Sequence, residues 1–297
     1  METFSVQRNQ GTYPSDELRY AFEKHGIVVL RDFISSNMQT ELRSLLELKL
    51  AQAILKDTVL KFPIYPNADF LLGDVLSIRE LEKFEYIFFR KELLDVIRTL
   101  LSSQELIYFG DSSVNFGESG RGFHKDNVDR SDGNKDDWNG NYGLVRCGFY
   151  FEDHVRQSGG LKVRMGSHNI TNHKMGTMKD VRMQFGDIAI WNLRLTHSGN
   201  NRKMKFRNSV ILHPRIEGII PSFLTVLEEV RRIAAFCVFA RPGPHFERYI
   251  NNFKVREPDI EKYLRHSRNP QDTIRLLTNV GVNFRQPSSC YGDLDVC

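Results

Sequence analysis

Between residues 106 and 212 the chain repeats one pattern. Short apolar, β-branched or aromatic runs are separated by clusters of Gly, Asn, Asp and Ser. The runs are Leu106–Phe109, Leu144–Phe151, Leu161–Met165, Asp187–Trp191 and Ser209–Leu212, and Gly186-Asp187 is a turn that launches one of them. Strands at this spacing, with no helical pattern between them, exclude βαβ units and predict an antiparallel sandwich or barrel. The longest break, Asn127–Tyr142, is rich in Asp, Asn and Gly and reads as a long loop. A loop of that length in a compact domain is often functional.

The flanks read differently. A helical pattern over Asp16–His25 stops at Gly26, and the β-branched run Ile27-Val28-Val29-Leu30 follows. Ser35 or Ser36 can cap a helix with Met38, Leu42, Leu45 and Leu46 on one face, and residues 78–101 carry a further helical pattern. After Pro221, Phe223, Leu227, Val230, Ala234 and Cys237 recur at helical spacing, and Pro242 and Pro244 end the run. Two more helices are expected near Pro258–Leu264 and Asp272–Leu277. The expected organisation is one domain over 1–297: a mainly helical part at 1–105, a β core at 106–215, and a helical extension at 216–297.

Composition narrows the function classes. Forty per cent apolar and 26% charged residues exclude a disordered or fibrous chain. The longest purely apolar run, Ile233 to Ala240, falls far short of the ~20 residues that span a bilayer. The start shows no basic patch followed by an apolar run, so it does not read as a secretory signal. Four cysteines without a CxxC give no disulfide framework, and a cytoplasmic compartment is expected. The net charge of +4 is mild, but Lys162–Arg207 holds ten Lys and Arg against Asp180 and Asp187. That excess suits a small anion, a polyanion or a solvated basic face.

His124-Lys125-Asp126 is the first candidate for chemistry. Extended residues two apart point the same way, so an imidazole and a carboxylate can meet one metal ion. Chance supplies such triplets in a chain of this length, and a surface His near a solvated Asp is the competing reading. His197, just after the strand launched by Gly186-Asp187, adds a second imidazole. Two His and one Asp fill one face of an octahedral Fe(II) and leave the other open, whereas a structural zinc needs a fourth protein ligand. Arg207 and Ser209, two residues apart, share a face if extended and suit a carboxylate clamp, with a surface Arg on an edge strand as the alternative. His168 reads as a structural turn residue, Trp191 and Phe206 as core residues or pocket walls, and His245-Phe246-Glu247 as no metal site.

Together these motifs resemble iron(II)/2-oxoglutarate-dependent oxygenases, and within them the phytanoyl-CoA dioxygenase family. The resemblance rests on His124-Lys125-Asp126, His197 and Arg207-Asn208-Ser209, and on three further stretches: Phe22–Phe33, Ser158–His168 and Gly186–Trp191. It spans roughly residues 17–215, and Met165 departs from the Pro common before Gly-Ser-His. The resemblance implies a mainly β fold with flanking helices, a double-stranded β-helix or distorted, cupin-like jelly roll. It implies Fe(II) on His124, Asp126 and His197, with 2-oxoglutarate and O2 as cosubstrates and Arg207 and Ser209 on the distal carboxylate. Asn115 or Ser113 stands where relatives place Lys or Gln for a second cosubstrate contact. Asp126 is present where halogenating members lack a carboxylate, so hydroxylation of a small molecule in specialised metabolism is the expected chemistry.

One face of the strand 144–151 would then look inward. Arg146, Gly148 and Tyr150 alternate onto it, Gly148 leaving room for a ligand, and Arg146, Tyr150 and Trp191 are candidate substrate contacts. An inward Arg146 needs an anionic or polar partner, whereas an outward one would face solvent or pair with Glu152 or Asp153. Neither nucleic acid nor a membrane is an expected partner, and the oligomeric state is not legible. Two other classes stay open: an inactive jelly-roll binding protein, and a basic protein that holds an acidic polymer through Lys162–Arg207. The intact metal set weighs against the first, and the lack of interleaved aromatic residues against the second.

Overall fold

The computed structural model describes residues 3–55, 60–62, 69–73, 75–77, 79–117, 122–130, 132–199, 202–207, 210–226, 231–254 and 270–285. In chain order the strands are β1 (Ser5–Val6), β2 (Ile27–Leu30), β3 (Leu60–Phe62), β4 (Asp69–Gly73), β5 (Leu106–Tyr108), β6 (Ser112–Phe116) and β7 (Leu144–Tyr150). They continue as β8 (Leu161–Met165), β9 (Thr177–Val181), β10 (Ile188–Asn192), β11 (His197–Ser198), β12 (Ile233–Ala240) and β13 (Val282–Phe284). The helices are α1 (Ser15–His25), α2 (Ser36–Leu55), α3 (Glu85–Phe88), α4 (Lys91–Leu101), α5 (Pro214–Glu217), α6 (Pro244–Lys254) and α7 (Pro270–Asn279). The large sheet runs β1-β2-β10-β7-β12-β6-β4-β3, with β5 and β13 attached beside β12. A small sheet, β11-β8-β9, packs Leu161, Val163 and Val181 into the same core as Phe149, Ile190 and Trp191. This is the mainly β, cupin-like jelly roll with flanking helices that the motifs imply.

The helices form where sequence chemistry dictates. Gly26 ends α1 in the left-handed region at φ 77°, and its N–H donates to Phe22 O at 2.8 Å. A Cβ there would also stand 2.5 Å from His168 Nδ1, so this position needs glycine twice over. Ser35 Oγ accepts the Met38 N–H at 3.4 Å at the start of α2. In α4, Leu93, Leu94, Val96, Ile97, Leu100 and Leu101 are buried, and the helix packs on β7.

Two expectations fail. Of the helix predicted through Phe223–Cys237, Ser222–Leu224 is a single 3-10 turn, 227–230 lie outside the described residues and Ile233–Cys237 belong to the strand β12, so the segment after 216 is not simply a helical extension. Ile233–Ala240 is apolar throughout because β12 is covered on both faces, and such a run fits a buried helix and a buried strand equally on periodicity alone. The strand predicted at Ser209–Leu212 does not form over 210–212, and 208–209 lie outside the described residues. Its place beside β7 is taken by β12, which offers eight apolar residues to the sheet. The helix expected at Pro258–Leu264 also lies outside the described residues, whereas α7 covers the one expected at Asp272–Leu277. Among the described residues no helix is long and apolar enough to cross a membrane.

Register fixes what faces the interior. Directly paired residues of antiparallel strands share a face. Arg146 pairs with Val238 and Trp191, Gly148 with Phe236 and Ala189, and Tyr150 with Ala234, which in turn pairs with Asn115. These residues make one face. Val145, Cys147 and Phe149 lie on the other with Cys237, Phe239 and Ile190. The space beside Gly148 is not left for a ligand, because the Trp191 indole fills it. A Cβ on Gly148 would meet Trp191 at 2.6 Å and Phe236 at 3.1 Å. Gly148→Ala is therefore expected to lower the unfolding free energy by about 1–3 kcal/mol through overpacking, measured by urea denaturation. An unchanged midpoint would show that the indole has room to move.

Candidate metal centre

Two loops carry the candidate ligands, and backbone hydrogen bonds tie them together. His124 and His197 form a single antiparallel bridge, with N–H to O distances of 3.0 and 2.9 Å in the two directions. Their rings therefore lie side by side, with centroids 4.5 Å apart. Asp126 N–H donates to Leu193 O at 2.9 Å. Between the ligands, the buried Lys125 ammonium donates to Ser167 O and Arg194 O, each at 2.6 Å. Ser167 Oγ in turn accepts the Thr196 N–H at 2.8 Å. The Gly166-Ser167-His168 turn thus props up both loops. His168 is the structural residue the sequence predicts, its Nε2 3.1 Å from Glu23 O.

The donor atoms of His124, Asp126 and His197 all lie within 4.8 Å of one another. His197 Nε2 is 3.4 Å from Asp126 Oδ2, and His124 Nε2 is 3.7 Å from Asp126 Oδ1. Both Nδ1 atoms face backbone carbonyls, Gly122 O at 2.9 Å for His124 and Leu195 O at 3.0 Å for His197. A carbonyl can only accept, so each Nδ1 carries the proton and each Nε2 presents a lone pair toward the carboxylate. Burial pushes His197 down to about 4, against the pull of Asp126, and keeps it neutral at pH 7. Burial alone would raise the Asp126 carboxyl, but Arg146, His197 and His124 outweigh it and hold the group ionised, below the usual carboxylate range. Two imidazoles and one carboxylate, already convergent, fit a divalent transition metal with open positions.

Arg146 points inward, as one of the two sequence readings holds, and its partners are acidic residues of the chain. Nη1 donates to Asp126 Oδ2 at 2.6 Å, and Nη2 lies 3.7 Å from Asp111 Oδ2. Tyr249, on α6, donates its hydroxyl to Asp111 Oδ2 at 2.8 Å. A chain of contacts thus runs from α6 to the Asp126 carboxylate. The long loop after Asp126 is tied to the same helix, Arg248 meeting Asp129 at 2.6 Å. Within that loop the buried Asp137 accepts from Asn127 Nδ2 and Asp129 N–H. Trp191 stands beside the site, its rings 5.6 Å from those of His197.

Of the expected carboxylate clamp, only Arg207 lies within the described residues. Arg207 is exposed and on no strand, and Ser209 lies outside the described residues. Phe206, expected in the core, is a surface residue. Thirty-four residues separate β11 from β12, and Arg232 stands directly before β12. Arg232 is 2% exposed and lies over the Tyr150 ring at 5.4 Å. It donates to Gly159 O and Gly117 O, and among the described residues no carboxylate pairs with it. Burial pushes the Tyr150 hydroxyl up to about 12 in spite of that cation. On the same face Asn115 Oδ1 and Trp191 Nε1 are buried without a hydrogen-bond partner among the described residues. The signal that marks Arg232 is Arg231-Arg232 set directly before an eight-residue apolar run. His245, at the start of α6, packs on Tyr142 and takes no part in the metal set.

No protein-family model matches the chain, and no curated protein matches it by sequence. Solved structures do share its fold. AviO1 from Streptomyces viridochromogenes Tue57 superposes with a TM-score of 0.52 at 15% identity, over 78% of this chain and 98% of that one. HygX from Streptomyces hygroscopicus, solved with nickel and 2-oxoglutarate, gives 0.53 at 17% identity over 75% and 86%. EctD from S. alaskensis, solved with 2-oxoglutarate and 5-hydroxyectoine, gives 0.53 at 16% identity over 81% and 80%.

His197→Ala is expected to abolish Mn(II) or Co(II) binding in a titration followed by the metal's own spectrum. Tyr249→Phe, which touches no ligand, is expected to weaken binding roughly tenfold by loosening Asp111 and Arg146. Wild-type affinity in Tyr249→Phe would show that Arg146 holds Asp126 without help from α6.

Proposed function

We propose that this chain is a non-heme Fe(II)/2-oxoglutarate-dependent dioxygenase, with motifs of the phytanoyl-CoA dioxygenase branch. Its reaction would hydroxylate or otherwise oxidise an unactivated C–H of a small molecule and release succinate and CO2. One observation carries the reading. A convergent His124, Asp126, His197 set shares its interior with a buried arginine, Arg232, that has no carboxylate partner among the described residues. A guanidinium out of water and without a counter-ion is costly, so such a site is built for an anion. A ligand that chelates a metal at one end and carries a carboxylate at the other meets both requirements.

When bound, Fe(II) with 2-oxoglutarate supplies the activation of O2. The rest falls to the chain. His124 and His197 present Nε2 atoms, and Asp126 presents a carboxylate whose second interaction is taken by Arg146. Arg232, in place of Arg207, takes the distal carboxylate. Asn115 and Tyr150, on the same face, supply polar contacts beside it. Trp191 and Phe236 close the interior against water, which strengthens each electrostatic contact within it. The polar substrate-side molecules bound to fold neighbours, hygromycin B in HygX and 5-hydroxyectoine in EctD, support a small-molecule substrate here.

Anaerobic addition of Fe(II) and 2-oxoglutarate is expected to produce a weak visible charge-transfer band, and aerobic turnover to release succinate. Losing one side of a desolvated charge pair costs about 2–5 kcal/mol, so Arg232→Ala should raise the 2-oxoglutarate requirement at least tenfold. Metal binding should change little, and Arg207→Ala should behave as wild type. If Arg207→Ala, and not Arg232→Ala, loses 2-oxoglutarate, the clamp assignment fails.

A further inference from the structure

Within the segment between β11 and β12, Lys203 and Glu217 point into the protein, whereas Lys205, Arg207 and Arg215 are exposed. Lys162, on β8, and Glu217, on α5, form an ion pair with both side chains fully buried, and Arg202 N–H also donates to Glu217 Oε1 at 3.1 Å. Lys203 meets Asp180 at 3.1 Å and donates to the carbonyls of His154 and Val155. Its apolar side chains point out. Phe206 is 86% exposed, Ile219 79%, Phe223 69%, Ile216 42% and Val210 41%. Single exposed apolar residues are ordinary, but five within one short segment are not.

Backbone pairing brings part of this set together. Met204 bridges Thr225, and Lys205 N–H donates to Leu224 O at 3.0 Å. The same register places Phe206 across from Phe223. Phe206 occupies a turn between Lys205 and Arg207, both exposed, and Arg215 is exposed beside Ile216. Across 202–226 the only acid is Glu217, which is buried. Among the described residues of the segment, the outward surface therefore combines protruding apolar groups with cations, and Glu228 and Glu229 lie outside the described residues.

We propose that this surface docks the protein on an anionic lipid bilayer, with Phe206 and Phe223 entering the interface and Lys205, Arg207 and Arg215 meeting the headgroups. A phenylalanine on a turn, flanked by cations, is a projection and not a groove. A folded partner would have to supply a matching pocket, whereas a bilayer yields around it. The absence of a spanning segment does not bear on this, since a surface contact needs none. The inference stands independently of the proposed chemistry.

The test is co-sedimentation of the whole protein with vesicles of phosphatidylcholine alone or mixed with phosphatidylglycerol. Sedimentation with the mixed vesicles only, weakened by salt, is expected. The double variant Phe206→Ser, Phe223→Ser should lose at least tenfold in vesicle binding while Co(II) binding at His124, Asp126 and His197 stays as in wild type. Equal behaviour of the two vesicle types, or unchanged binding by the variant, would overturn the proposal. So would a wild-type dimer that the same variant converts to monomer without vesicles, since a second copy would then cover the face.

Discussion

The antiparallel pairing of β7 with β12 is the constraint on which the interior depends. It sets Arg146 against Val238, Gly148 against Phe236 and Tyr150 against Ala234, and so decides which side chains look toward the metal set. A slip of one residue would exchange the two faces, turning Arg146 and Tyr150 toward the helices and Cys147 and Phe149 toward the site. Burial on both sides guards against that slip. The outer face rests on α4 and the inner one holds Trp191 against Phe236. The site inherits its accuracy from this central pair more than from the loops that bear His124, Asp126 and His197.

The metal set was legible because its chemistry is local. His124-Lys125-Asp126 needs only neighbouring residues to bring two ligands together, and His197 follows a strand that announces itself by Gly186-Asp187. Strict alternation puts Arg146, Gly148 and Tyr150 on one face but leaves open whether that face looks inward. The partner of Arg146 was not legible, since Asp126 and Asp111 reach it only through tertiary contacts. The last core strand was misread for a different reason. Apolar spacing after Pro221 fits a helix, and only the sheet's need for a strand covered on both faces decides otherwise. Arg207 is exposed, whereas Arg232, directly before β12, is buried.

Buried charges are used in this protein to fix position, and each is held differently. Lys125 donates to two carbonyls and lies over the Trp138 ring, and burial lowers its ammonium to about 7, with Arg194 adding to the effect. Lys162 has Glu217, and the pair anchors an entire segment from beneath. Arg232 donates to two carbonyls and has no carboxylate partner among the described residues. Buried pairs contribute little net stability, but they do specify one arrangement over others.

The origin of β12 so late in the chain has a consequence for biosynthesis. β7 is complete at residue 150, yet its partner does not exist until residue 240 has been made. At 5–20 residues per second, that interval is roughly 5–18 s on the ribosome. During it the nascent sheet has an open edge of Val145, Cys147 and Phe149 with unpaired backbone groups, the kind of edge that recruits other chains. The order of emergence therefore leaves that edge of the sheet without its native partner until β12 has been made.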